Sequence, residues 1–349
     1  MLIRQTYKRG GDMTDGSINY MGIKLANPII IGSSNMVDKP DTLKQLQDAG
    51  AAAIVFKSLF EEQIQLERMQ FDSEIELYNE RNAESINLFP GMNHAGPAEH
   101  LYKLEIARKS ISIPLIGSLN CVFTETWIDW ALQMEKTGID GLELNFFGLP
   151  RDFETDASSI ENEQISIVKE VCNAVSIPVS VKLSPFYTNT LQVIKRMEQA
   201  GAKAFVLFNR MFEPDISINS LKHISPFNLS DHGDYRQSLR YIGILHNNVN
   251  ASLIGSNGIH SGLDVVKLIL AGADAVQIVS TVYLNTPKVI EEVLSEIRSF
   301  MNENNFTSYS DFRGLLSKEK TKDPFVYKRA QYIELLLHSD KLFKKNNLV

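Results

Sequence analysis

The sequence predicts an α/β protein that folds as a (β/α)8 TIM barrel, with insertions over the carboxyl-terminal face and a helical tail at the carboxyl end. Three observations predict this fold: eight apolar runs of strand length, helix-period segments in most of the gaps, and two strand patterns that alternate along the chain. An open doubly wound sheet also alternates strands and helices. The count of eight and the strict alternation of patterns favour a closed barrel.

The first strand pattern begins with a glycine that follows a helix, and a small residue then leads into an apolar run. It reads DAGAAAIVFKS, KTGIDGLELNF, QAGAKAFVLFNR and LAGADAVQIVST. The glycine supplies a left-handed helix cap, and an uninterrupted apolar run suits a parallel strand buried on both faces. The second pattern reads NPIIIGSSN, IPLIGSLN, IPVSVKLSP and NASLIGSNG. Strands are therefore expected near residues 29–33, 52–56, 114–118, 141–145, 178–183, 204–208, 252–255 and 275–279.

Helix-period patterns such as TLKQLQDAG, TWIDWALQMEKTG and GLDVVKLILAG lie between these strands. After the eighth strand, PKVIEEVLSEIRSFM predicts a final helix with Thr286 at the N-cap and Pro287 at the first helical position. The longest gaps, 59–110 and 210–250, are expected to hold insertions over the catalytic face. Residues 1–349 are predicted to form a single domain, in which 1–12 are a disordered or non-native leader and 307–349 a helical tail.

Composition excludes several functional classes. The net charge is −7, from 35 basic and 42 acidic residues, and no long basic run suggests binding to nucleic acid or to a membrane surface. No signal peptide or membrane-spanning run is apparent. Two cysteines, Cys121 and Cys172, stand far apart and outside any metal-binding spacing. They suit a reducing compartment, and the cytoplasm is the expected location.

Polar residues that close the apolar runs are the candidate site residues, because barrels of this type place their active sites at the carboxyl ends of the strands. They are Ser33, Ser34, Asn35, Lys57, Ser58, Ser118, Asn120, Asn145, Lys182, Asn209, Arg210, Ser256, Asn257, Gly258, Ser280 and Thr281. Lysine is almost never buried without a partner. Lysines and asparagines that converge on one mouth therefore indicate a binding site.

The seventh strand ends in GSNGIHSG, and a helix is predicted to begin at about Ser261. Glycines allow backbone N–H groups to approach an anion, and a helix amino terminus adds a positive dipole. Together with Ser280 and Thr281 after the eighth strand, this turn lies where barrels bind phosphate. A plain tight turn is the alternative interpretation.

Several candidates have two interpretations. Lys182 could stabilise negative charge on a flavin ring, or form an internal salt bridge with Glu143. The amides of Asn120 and Asn145 suit an uncharged heterocycle, but asparagine also commonly caps strand ends. Arg210 could clamp a substrate carboxylate or lie in a solvated loop.

A series of motifs covers nearly the whole chain, from YMGIKLANPIIIGSS through VFKS, SINLFPG, GLELN and SVKLSP to GSNGIHSGLDVVKLILAGADAVQI and SDFRGLL. These motifs carry a resemblance to the dihydroorotate dehydrogenase family, and within it to the soluble class 1 members. It implies FMN at the barrel mouth, a place in pyrimidine biosynthesis, and hydride transfer from dihydroorotate to flavin N5. It also implies a homodimer and a soluble electron acceptor.

The resemblance assigns roles residue by residue. Gly32 and Ser33 would approach the flavin ring, Lys57 and Ser58 its edge, and Asn120 and Asn145 its pyrimidine portion. Lys182 would lie near N1, and Lys57 and Lys182 are the catalytic candidates. The phosphate would bind Ser256, Asn257, Gly258, Ser280 and Thr281. Asn87, Asn145, Asn209 and Arg210 are the substrate-binding candidates, and no metal is expected.

One position departs from the family pattern. The family places a Cys or Ser base after the fourth strand, where this chain reads NFFGLPRDF and Gly148 stands at the expected site. Glycine cannot accept a proton, so the substrate is predicted to differ. Cys121 after the third strand and His94 in the first insertion are weak alternatives for the base.

Two other functions stay open. The chain could be a non-redox lyase or synthase that uses the phosphate turn for a sugar phosphate and Lys182 as a Schiff-base nucleophile. Alternatively, it could be a flavin-holding subunit that exchanges electrons with a partner. Because the chain has no iron–sulfur cysteine motif, any such cluster would belong to another subunit.

Overall fold

The computed structural model describes residues 16–65, 97–121, 124–146, 153–210, 213–226 and 229–322, together with 327, 333, 336 and 337. The chain enters through an antiparallel hairpin of β1 (Ile18–Tyr20) and β2 (Ile23–Leu25). Eight further strands close into a parallel barrel, as the sequence predicts. They are β3 (Ile29–Ile31), β4 (Ala53–Phe60), β5 (Leu115–Asn120), β6 (Gly141–Asn145), β7 (Val179–Leu183), β8 (Ala204–Leu207), β11 (Ser252–Ser256) and β12 (Ala275–Ile278).

Helices surround this barrel. They are α1 (Pro40–Asp48), α2 (Pro97–Ser110), α3 (Thr124–Glu135), α4 (Ala157–Ala174), α5 (Thr190–Gln199), α6 (Tyr235–Leu245), α7 (Gly262–Ala271), α8 (Ser280–Leu284) and α9 (Val289–Asn304). The predicted start of α7 is confirmed, because Ser261 is its N-cap and its side chain accepts a hydrogen bond from the Asp264 N–H. The predicted start of α9 is wrong. Helix α9 begins at Val289, because Thr286 and Pro287 form a preceding turn.

The interior of the barrel has an apolar end and a polar end. At the amino end, the β1–β2 hairpin contributes Tyr20 and Leu25, which pack with inward-facing residues such as Ile30, Val55 and Val206. Burial of this cluster closes the amino end and stabilises the barrel through the hydrophobic effect. Towards the carboxyl end, the buried inward-facing side chains become polar. They are Ser118, Glu143, Ser180, Lys182 and Gln277.

The structure describes more of the second long gap between strands, residues 210–250, than of the first, residues 59–110. In the second gap, β9 (Asp215–Ser217) and β10 (Lys222–Ile224) form an antiparallel hairpin ahead of α6. In the first gap, residues 66–96 lie outside the described part of the chain. The predicted leader, residues 1–12, also lies outside it.

The start of the carboxyl-terminal tail packs against the barrel's outer helices. A single 3-10 turn (Tyr309–Asp311) is followed by backbone hydrogen bonds from Gly314 to Ile269 and from Leu316 to Leu270. Arg313 forms a 2.8 Å ion pair with Asp274. Most of the predicted helical tail beyond residue 322 lies outside the described residues.

Cys121 and Cys172 both carry free thiols. Within the ranges that the structure describes, no helix combines the length and apolar character needed to cross a bilayer.

Candidate active site

A polar pocket at the mouth of the barrel is lined by both Lys182 and the predicted phosphate turn. It is lined by Lys182, Ser230, Ser256, Asn257, Gly258, Ile259, Gln277, Ile278, Val279 and Ser280. Five of these residues are sequence-predicted site residues, so β7, β11 and the start of α8 converge as expected. The pocket encloses about 40 Å³, which is room for one or two waters. A larger ligand would therefore also occupy the open mouth.

The turn after β11 brings backbone N–H groups to this pocket. Asn257 and Gly258 have φ values of 68° and 62°, the left-handed region that favours glycine and asparagine. A Cβ on Gly258 would lie 2.6 Å from the Asp234 nitrogen, so only glycine fits here. The Ser256 hydroxyl donates to the Phe208 carbonyl at 2.6 Å. The hydroxyl proton of Ser256 is therefore not offered to the pocket.

Ser230 is a pocket residue that the sequence did not indicate, because it lies in a long loop without a motif. Its N–H and its hydroxyl both donate to the Ser280 hydroxyl oxygen, at 2.9 and 2.8 Å. The Ser280 proton is left free to donate to an anion. His260 holds this loop in place, because its Nε2 lies 2.9 Å from the Ser230 carbonyl and must donate to it. The Thr281 hydroxyl is buried and has no hydrogen-bond partner among the described residues.

Lys182 lies at the wall of the same pocket. Its Nζ donates to the Gln277 Oε1 at 3.2 Å, and the Gln277 Nε2 donates to the Glu143 Oε2 at 2.5 Å. Burial lowers the pKa of Lys182, and the nearby Glu143 carboxylate opposes that shift. Burial also raises the pKa of Glu143, against the influence of Lys182. The expected alternative of a direct salt bridge is replaced by a bridge through Gln277.

Three asparagines meet at the ends of β5, β6 and β8. The Asn120 amide donates to the Asn145 carbonyl at 2.9 Å, which is the capping role considered for it. The Asn209 amide donates to the Asn145 Oδ1 at 2.6 Å and to the Phe146 carbonyl at 3.1 Å. These bonds fix the amides at the mouth, and within the described ranges no hydrogen bond to the Oδ1 atom of Asn120 or Asn209 is found.

Three serines, at the end of β3 and on β4 and β5, form a hydroxyl chain. The Ser58 hydroxyl lies 3.0 Å from that of Ser33 and 2.7 Å from that of Ser118. The register between β4 and β5 shifts between Val55 and Ser58, next to Lys57. Such irregularities re-aim side chains near active sites. Gly32 precedes this chain, and a Cβ there would lie 2.8 Å from the Val279 side chain.

His100 on α2 is a buried group near Lys57 that the sequence did not indicate. Burial, with the positive charge of Lys57, lowers the pKa of His100 to about 4. Its ring meets Phe56 edge to face with centroids 5.5 Å apart. His100 is therefore neutral at pH 7.

Arg210 and Cys121 have partners within the chain. The Arg210 guanidinium forms a 2.7 Å ion pair with Asp234, beside the phosphate turn. Burial and the nearby Glu61 raise the pKa of the Cys121 thiol. A protonated thiol is a poor proton acceptor, so the structure does not support Cys121 as the missing base.

A second cavity, of about 950 Å³, lies at the amino end and is lined by residues such as Asn19, Lys203 and Ser252. It is the larger of the two, but it lacks the converging strand-end residues. In the ranges that the structure covers, no three His, Cys, Asp or Glu side chains are grouped to hold a metal ion.

The sequence matches the family model of dihydroorotate dehydrogenase over residues 17–301. The chain belongs to the dihydroorotate dehydrogenase family. It is therefore an oxidoreductase that acts on CH–CH bonds, which the lyase alternative does not fit.

Three relatives carry the name dihydroorotate dehydrogenase B (NAD(+)), catalytic subunit. The protein of Thermoplasma volcanium is 29% identical over 88% of this chain and 100% of its own. That of Methanocaldococcus jannaschii is 29% identical over 83% and 94%, respectively. That of Pyrococcus abyssi is 26% identical over 86% and 99%.

Three residues that bear on the dihydroorotate dehydrogenase reaction fall outside the described part of the chain. They are Asn87, His94 and Gly148. The other substrate-binding candidates, Asn145, Asn209 and Arg210, lie in the described part, as do all the predicted cofactor-binding residues.

Proposed function

We propose that this chain is an FMN-dependent oxidoreductase that takes a hydride from a dihydro-heterocycle related to dihydroorotate. The observation that supports it is the pocket in which Lys182 and the turn Asn257–Gly258 share one wall. A buried ammonium and an anion-binding turn in one pocket suit a cofactor that carries a phosphate at one end and an electron-accepting ring at the other.

The residues of this chain fit FMN. The N–H groups of Asn257 and Gly258 and the hydroxyl of Ser280 would hold the phosphate, with Ser256 and Thr281 beside them. Lys182 would lie near N1, and Lys57 and Ser58 at the ring edge. Gly32, Ser33, Asn120 and Asn145 would complete the ring's surroundings. When bound, FMN supplies the hydride acceptor at N5.

Lys182 favours reduction because its ammonium offers positive charge where the reduced ring is negative. Its Nζ has three donor positions, and Gln277 takes one of them. The other donors can therefore turn to a ligand in the mouth.

A lysine comparison tests the cofactor site. Lys182→Met should raise the dissociation constant of FMN about tenfold or more, since a hydrogen bond to a charged group contributes roughly 1.5–3 kcal/mol. Lys203→Met is the control, because Lys203 is exposed at the amino-end cavity. Flavin fluorescence quenching measures both constants. A colourless protein that takes up no FMN, or equal constants for the two variants, would contradict the proposed site.

The substrate proposal rests on Asn87, Asn145, Asn209 and Arg210, with Gly148 in place of the family's base. Asn145 and Asn209 are already hydrogen-bonded to each other at 2.6 Å, and Arg210 forms an ion pair with Asp234. A substrate carboxylate would have to compete with Asp234 for Arg210. We infer that the substrate carries an acidic or amide group but does not depend on a Cys or Ser base.

Dihydroorotate oxidation tests that inference. Wild type should turn dihydroorotate over slowly, and Gly148→Cys should raise kcat at least tenfold, because a positioned base contributes roughly 10²–10⁴-fold. Gly148→Ala is the control for a change of side-chain size without a proton acceptor. Efficient turnover by wild type would sink the idea that the base is missing.

A partner subunit is a second proposal, favoured by the names of the relatives. They are called catalytic subunits, a term that implies another chain. A flavin or iron–sulfur partner would carry the electrons onward to NAD, and a soluble acceptor is the alternative. We also propose that the chain forms a homodimer in the cytoplasm. Light scattering of the purified protein and isolation of the tagged chain from its own cells would show both assemblies.

A further inference from the structure

Three buried side chains form a continuous polar line beneath the mouth. Lys182 on β7, Gln277 on β12 and Glu143 on β6 are joined by hydrogen bonds of 3.2 and 2.5 Å. Strands β6 and β7 are neighbours and β12 lies across the barrel from them, so the line crosses the interior. Only Lys182 reaches the pocket with its charged group.

The chemistry of the end groups fixes the orientation of the Gln277 amide. An ammonium can only donate hydrogen bonds and an ionised carboxylate can only accept them. The amide satisfies both neighbours only when its oxygen faces Lys182 and its nitrogen faces Glu143. Gln277 is therefore a directional link between a buried positive and a buried negative charge.

Glu143 has no other described role in the barrel. Its side chain is 0% exposed, and its Oε1 has no hydrogen-bond partner among the described residues. A buried carboxylate is costly unless an opposite charge balances it. Within the described part of the chain, Lys182 supplies that charge. The neighbouring Tyr20 hydroxyl is neutral, because burial raises its pKa.

We propose that Glu143 and Gln277 are positioning residues that act through Lys182, holding its ammonium at the pocket wall and limiting the positive charge that it presents to the cofactor. This inference rests on the proposed function, since the charge acts on a bound flavin. Gln277 sets where the ammonium lies. Glu143 partly neutralises it, and so tunes how easily the flavin is reduced.

The test compares midpoint potentials of FMN bound to the full chain at pH 7.5, which is well below the ordinary pKa of lysine and favours an ionised Glu143, whose pKa burial raises. Glu143→Gln should raise the potential by about 30 mV or more, which is a tenfold change in a two-electron equilibrium. Gln277→Met should lower it, because the freed ammonium is then drawn towards Glu143. Ser180→Ala is the control, since it removes a fully buried polar group from the same barrel interior without changing its charge.

Thermal unfolding followed by circular dichroism identifies folded variants, and Gln277→Met carries the test if Glu143→Gln does not fold. Potentials of both variants equal to that of Ser180→Ala would overturn the inference and leave FMN binding intact. A fall in potential in Glu143→Gln would also overturn it. Wild type that binds no FMN would contradict the proposed function itself, and this inference with it.

Discussion

At the scale of single residues, the mouth of the barrel is determined by which partner each polar group has. Lys182 was expected to need an acceptor, and it has one, but the acceptor is Gln277 and not Glu143. The sequence could not predict this, because Gln277 lies inside an apolar strand 95 positions from Lys182. The sequence did not indicate Ser230 as a pocket residue, for a similar reason. Its role depends on a loop conformation that no local pattern encodes.

His100 illustrates how a buried residue makes stability depend on pH. Its pKa is about 4 in the folded protein and near 6.5 when unfolded, so the unfolded chain binds its proton first as the pH falls. Stability from the neutral ring is complete above pH 6.5 and declines towards pH 4. The loss is at most about 3 kcal/mol, from 1.36 kcal/mol per pKa unit.

His100→Phe should therefore make the melting temperature depend less on pH between 6.5 and 4 than it does in wild type. His223→Phe is the control, because His223 is exposed on β10. Calorimetry across this range measures the difference. The same pH dependence in His100→Phe as in wild type would show that another group is responsible.

At the scale of elements, the two strand patterns predicted the barrel well, because buried parallel strands need uninterrupted apolar runs. Every end of the eight barrel strands lies within two residues of its expected position except the carboxyl end of β4, and α7 begins at its predicted cap. The longer extent of β4, to Phe60, was missed, because Lys57 and Ser58 interrupt its apolar run. Pairing with β5 overrides that local pattern.

The turn after β11 leads to a prediction about the affinity for FMN. Gly258→Ala should weaken FMN binding at least tenfold, because the new Cβ collides with Asp234 and displaces the loop that carries Ser230. Gly22→Ala is the matched control. Gly22 also has a positive φ, of 95°, but a Cβ there meets nothing within 4 Å.

Both alanine variants should lose roughly 1–2 kcal/mol of stability from the left-handed backbone. Only Gly258→Ala should lose affinity in a fluorescence titration. Equal affinity in the two variants would show that the turn does not bind the cofactor.

At the scale of the whole molecule, the apolar core cluster and the candidate site lie at opposite ends of one barrel. The apolar cluster around Tyr20 closes the amino end, whereas charged and polar side chains line the carboxyl end. The sequence predicted the polar carboxyl end, because fold rules place active sites at strand carboxyl ends, but it did not indicate the apolar cluster at the amino end. Which polar groups touch across the interior could not be predicted, since strands far apart in sequence contribute them.

The pairing of β12 with β3 has a consequence for synthesis on the ribosome. Val276 pairs with Ile29, so the wall closes only after almost the whole barrel has been translated. Until then, the early strands have an exposed edge and Tyr20 has no enclosed interior to enter. Gln277 arrives on that last strand. The nascent chain therefore carries Glu143 and Lys182 without their link, and the final strand completes the wall and the charge pairing in one event.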